Sequence, residues 1–155
     1  MIVDSRSSLS LYSELRTAAE ITVVLSLEPD DSEEMGEPTR AARAGRNLSP
    51  KYMIDQRAHW SLDADPSAVD PDDKTGFGSL RVLVAAIRNS APALESLRPD
   101  CETIIWWSGY SDSVQGGFVK PADLIANLAL LGCDLYGTAY FDEDDDDNDN
   151  DDDDN

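Results

Sequence analysis

The sequence predicts an α+β fold, a two-layer sandwich with helices on one face of a mostly antiparallel sheet, followed by an acidic tail. Three observations carry this. Stretches alternating with period two and stretches with three-and-four spacing follow one another along the chain, so strands and helices interleave. The 155 residues are enough for one domain to close a core without staples. The composition breaks after Phe141, where "DEDDDDNDNDDDDN" begins. One domain over 1–141 and a tail over 142–155 follow. A block of like charges repels itself and buries nothing, so the tail is expected to be disordered.

The elements come in order. In "SSLSLYS", Leu9 and Leu11 share one face and Ser8, Ser10 and Tyr12 the other, the pattern of a half-buried strand. "TAAEITVVLSLEPDD" spaces Ala18, Ile21, Val24 or Leu25, and Leu27 as a helix that Pro29 stops, although Ile21, Val23 and Val24 are β-branched. From Asp30 to Arg57 the text is polar and broken by Gly36, Pro38, Gly45 and Pro50, which predicts an irregular excursion. "AHWSLDA" reads as a second strand with Trp60 and Leu62 on one side, and "DADPSAVDPDDKTG" as an Asp-rich loop. Between Phe77 and Leu97 the apolar residues recur at three and four, giving an amphipathic helix that Pro92 kinks or splits.

"CETIIWWSGY" is apolar on both faces, which predicts a central strand covered on both sides. "PADLIANLALLGCDL" has Pro121 in the first turn, Gly132 just past the end, and Leu124, Ile125, Leu128 and Leu131 as its buried stripe. "LYGTAYF" closes the domain as a fourth strand. Two strand–helix–strand units joined by the central helix give a ferredoxin-like sandwich as the expected arrangement.

Charge bounds the function. Twelve Lys and Arg stand against 32 Asp and Glu, a net charge of −20; the tail holds 11 of the acids, so the body alone carries −9. That sign repels phosphate backbones and anionic membranes and favours a basic protein partner over direct nucleic-acid binding. The start, "MIVDSRSSLSLYSELR", has no basic n-region followed by an apolar run, and no stretch approaches a membrane span, so no membrane association and a cytoplasmic location are expected. Cys101 and Cys133 read as free, buried thiols.

The strings "EITVVLSLEPDDSEEMGE", "HWSL" and "KPADLIANLALLGCDLYGTAYF", in that order around the central helix, resemble the bacterial family catalogued as domain of unknown function 4279. The family's motifs fall here on Leu27, Glu28, Pro29, Gly36 and Trp60, and on Leu131 and Gly132 before the last strand. The resemblance spans residues 8–141; the Arg-rich stretch from Thr39 to Gln56 and the acid tail lie outside its pattern. It implies no established activity and no cofactor. Small domains of this kind sit beside toxins as immunity or interaction proteins, an analogy at the level of fold.

Candidate site residues follow from chemistry. His59 is the single histidine and reads as an edge or core ring; Cys101 has no nearby base, so no catalytic residue is assigned. One His and two scattered Cys do not make a zinc set. The Asp63–Asp73 loop lacks the Gly and closing Glu of a calcium loop, and "KTGFGSL" lacks the ending of a phosphate loop. Neither metal nor cofactor is expected. Trp107 and Tyr110, with Trp60 and Trp106, are the candidates for a partner surface, since large amphipathic rings anchor protein contacts; core packing is their ordinary alternative. Adjacent Trp106 and Trp107 face opposite sides of a strand, so one of them is a candidate for an exposed face. Arg40, Arg43 and Arg46, three residues apart, are candidates for anion binding or for folding back onto the tail.

Three function classes remain. The first is a non-catalytic interaction protein of the immunity kind that covers a basic partner. The second is an enzyme or small-ligand module whose cleft is lined by Glu28, Glu102 or the acid loop. The third is a nucleic-acid mimic that works through its tail.

Overall fold

A computed structural model describes residues 2–113 and 118–141. Strand β1 (Ile2–Ser13) runs through the middle of a five-stranded sheet ordered β2-β3-β1-β4-β5. Its neighbours β3 (Ala58–Asp63) and β4 (Glu102–Ser111) are both antiparallel to it. A short strand β2 (Asp31–Glu33) pairs antiparallel with β3, and β5 (Asp134–Phe141) pairs parallel with β4.

The fold is therefore α+β with a mixed sheet, and two points correct the expected arrangement. A split strand–helix–strand unit places a third strand between its two strands. Here β4 and β5 are direct parallel neighbours, and β1 and β3 direct antiparallel ones, so the connectivity differs from the ferredoxin-like one. The excursion is also more ordered than its polar text suggests, since it supplies β2 and a helical turn, α2 (Arg40–Arg43).

Register decides which side chains are buried. Leu9 lies opposite Ile105 and Leu62, and Leu11 opposite Trp60 and Thr103. Leu9, Leu11, Trp60, Ile105 and Trp107 thus share one face of the sheet, and all five belong to the main core. The helices close over that face.

Helix α1 (Ala18–Leu25) opens on a capping box, in which the Thr17 hydroxyl accepts from Glu20 N–H and the Glu20 carboxylate from Thr17 N–H. It presents Ala18, Ile21 and Leu25 to the core and ends at Ser26, three residues before the expected stop at Pro29. The central helix is split as Pro92 predicts: α3 (Gly78–Ile87), a 3₁₀ turn over Arg88–Ser90, then α4 (Ala91–Leu97) with Pro92 in its first turn. Helix α5 (Ala122–Leu131) has Pro121 one position earlier than expected, as N-cap, and Gly132 at φ 64° as its left-handed C-cap. Its stripe is narrower than the sequence suggests. Leu124 and Leu131 are buried, Leu128 partly, and Ile125 is 52% exposed.

Candidate functional site

The other face of the sheet carries the exposed chemistry. Along β4 the side chains alternate in direction: Ile105 and Trp107 point to the helices, Trp106 and Tyr110 away from them, and Ile104, on the Trp106 side, is buried all the same. Parallel pairing sets Trp106 beside Tyr136 and Tyr110 beside Tyr140, with Ser108 and Thr138 between. The Trp106 and Tyr136 ring centroids are 5.1 Å apart, and those of Tyr110 and Tyr140 6.3 Å. All four rings are about half exposed, Trp106 at 40% and Tyr140 at 54%. Beside them runs an open groove of about 650 Å³, bordered by Asp4, Arg6, Ser8, Asp63, Trp106 and Tyr140.

Two of the predicted partner residues are core residues. Trp60 is fully buried, and its Nε1 donates to Thr22 Oγ1 at 3.0 Å, which ties β3 to α1. Trp107 is 5% exposed, donates through Nε1 to the Gly76 carbonyl at 3.2 Å, and lies 4.7 Å from the Phe77 ring. The indole fits because Gly109 carries no side chain on that face: a Cβ there would come within 2.6 Å of the Trp107 ring, whereas one at Gly137 would lie at 3.4 Å, in ordinary contact. Gly109→Ala is therefore expected to push the indole and lower stability by about 1–3 kcal/mol, read as a shift in the urea midpoint at unchanged slope. Trp106 and Tyr110 stand on the exposed face. Tyr136 and Tyr140, their partners, escaped the sequence reading although their four-residue spacing in "LYGTAYF", an even number, marks them for one face.

At the far end of the same face, His59 stacks on Tyr12 with centroids 4.8 Å apart and planes 14° apart. The Arg57 guanidinium lies 4.3 Å from the Tyr12 centroid and pairs with Glu102 at 2.6 Å. Burial holds the His59 imidazole below its ordinary pKa, against the opposing pull of Asp31, Glu33 and Asp55. A depressed folded pKa means the neutral ring contributes stability that is complete above the unfolded value of about 6.5 and is lost as pH falls through the folded value. Urea midpoints at about pH 7.5 and about pH 5.5 should differ less in His59→Gln than in the parent, because the substitution removes this contribution from the pH slope and leaves the carboxylates in both proteins.

Two of the three candidate anion-binding arginines are paired with acids of the body. Arg40 pairs with Asp31 at 2.6 Å, and Arg43 with Glu33 at 3.1 Å and with the Pro38 carbonyl at 2.8 Å, so both fold back on β2. Arg46 is exposed beyond α2. The tail, the other partner considered for these arginines and the segment expected to be disordered, lies outside the described residues.

The loop acids shape their own backbone. Asp65 accepts from Ser67 N–H, Asp70 from Asp72 N–H and Asp73 from Thr75 N–H. The carboxylates named for a cleft are dispersed: Glu102 is paired with Arg57, Glu28 is exposed after α1, and of the loop Asp63 borders the groove. Burial raises the pKa of both thiols, Cys101 and Cys133, away from the reactive thiolate. Among the described residues no helix is long and apolar enough to cross a membrane. Comparison of the chain with protein-family models, curated proteins and solved structures gave no match.

Proposed function

We propose that this chain is a non-catalytic bacterial interaction protein, of the immunity or partner-neutralising kind and of the family it resembles, that covers a basic surface of another protein. The observation that carries this reading is the pair of aromatic contacts, Trp106 with Tyr136 and Tyr110 with Tyr140, standing exposed on the helix-free face of a body whose net charge is −9. Rings of this size, held in register by a sheet, supply contact area at little entropic cost. The acidic field raises the rate of encounter with a cationic partner, and the rings set the fit.

The test is affinity capture on the immobilised full chain at low salt, from extract of the source bacterium. The expected result is a basic protein that Trp106→Ala no longer retains. Repeated captures in which nothing basic is held, or in which the alanine variant retains the same protein equally, would count against it.

A further inference from the structure

The two edges of the sheet are treated differently. Strand β2 is three residues long, Asp31–Glu33, and both of its acids are held by Arg40 and Arg43. This is a blunted edge, short and charged. Strand β5 is eight residues long, pairs among the described residues with β4 alone, and reads "DLYGTAYF", with no proline and no basic residue. Among the described residues no bulge interrupts it either, and its one charge is Asp134 at the start.

Beside that edge, on the helix side, a mostly apolar groove of about 430 Å³ opens between α5 and the sheet, lined chiefly by Phe77, Leu80, Leu124, Ile125, Leu128 and Leu135, with Lys120 its one charged residue among those described. On the opposite side of the same edge stand the half-exposed rings of Tyr136 and Tyr140. A strand laid along β5 would send alternate side chains to these two places.

We propose that the free edge of β5 is a strand-addition site for an extended basic segment in which apolar and Lys or Arg residues alternate. The apolar set enters the groove at Ile125 and Leu135, and the cationic set lies against the Tyr136 and Tyr140 rings, whose faces attract cations. Charge chooses this occupant. The chain's own tail, which follows β5 directly, is Asp and Asn almost throughout, residues depleted in strands and unable to fill an apolar groove. A second copy would bring another net −20 to an interface beside two acid runs. An alternating basic segment matches the groove, the rings and the field together. This inference rests on the basic-partner reading and adds the mode of binding.

The experiment uses the full chain and fluorescein-labelled nonapeptides. The parent alternates valine and lysine; a second replaces lysine by glutamate; two more carry N-methyl groups on all valine or on all lysine amides. In a strand, alternate residues turn their N–H groups to opposite edges, so only one methylated set blocks pairing with β5. The parent is expected to bind about tenfold or more tightly than the glutamate peptide, with one methylated peptide weakened about tenfold and the other within about threefold of the parent. Ile125→Lys, at an exposed position and compatible with folding, should weaken the parent by about tenfold.

If both methylated peptides bind like the parent, strand addition is wrong while a basic partner on the open face stands. A parent peptide no tighter than its glutamate counterpart removes the basic-partner reading and this inference with it. A stable dimer of the full chain that Ile125→Lys dissolves gives the edge to a second copy and overturns the proposal.

Discussion

Trp60→Ala should cost about 3–5 kcal/mol of folding free energy, the range for emptying a large aromatic site in a core. Trp60 is fully buried between Leu11 of the neighbouring strand and the α1 residues it faces, and its indole N–H is satisfied by Thr22. The loss thus has two parts, a cavity where the sheet meets α1 and an orphaned hydroxyl. Against a typical total of about 5–15 kcal/mol, the variant should be partly unfolded at room temperature, visible as a collapsed urea midpoint. Trp60→Phe separates the parts: it keeps most of the ring, loses the hydrogen bond, and should cost appreciably less than the alanine variant.

Trp106→Ala should do the reverse. Its ring is 40% exposed and touches Tyr136 across the strand, so folding should change by no more than about 1 kcal/mol. Binding of the captured basic partner should weaken by about 2 kcal/mol, roughly thirtyfold, the size of a central aromatic anchor. Calorimetric titration beside a urea curve reads both quantities on one preparation. A variant that loses stability and affinity together would place Trp106 in the fold rather than in the interface.

Much of the fold is legible because it is local. The helical spacing around Pro92 and the Gly132 stop each follow from a few neighbouring residues, and the split helix and α5 stand where those signals place them; β4 is a strand as its text predicts, but its Trp106 and Tyr110 face is half open where two apolar faces suggested cover on both sides. What escaped depends on pairing. "DSE" has no strand signal of its own and becomes β2 through its bonds to β3; the polar start of β1 becomes strand through β4. The parallel β4–β5 pair is a fact of topology that no window of residues contains.

The site divides along the same line. Period two shows that Trp106 and Trp107 face opposite ways, but the register of Ile105 with Leu9 decides which of them meets the helices. Arg40, Arg43 and Arg46 look like a cluster in sequence, yet two of them are drawn to Asp31 and Glu33 by a chain reversal invisible at that scale. Ile125 is exposed because it lies about a quarter-turn off the stripe of Leu124, Leu128 and Leu131, so a narrower reading of the helical phase would have left it out.

The central claim is that contact belongs to the β4–β5 side of the folded body while the acid run assists encounter. Binding of the captured basic protein to the full chain and to a chain ended at Phe141 tests it most directly, with association and dissociation rates followed at low and high salt. The expected result is a slower association for the shortened chain, by up to about tenfold at low salt and converging at high salt, with an unchanged dissociation rate. Loss of the complex on removing residues 142–155, with Trp106→Ala binding as the parent does, would contradict it and make the tail the binding element.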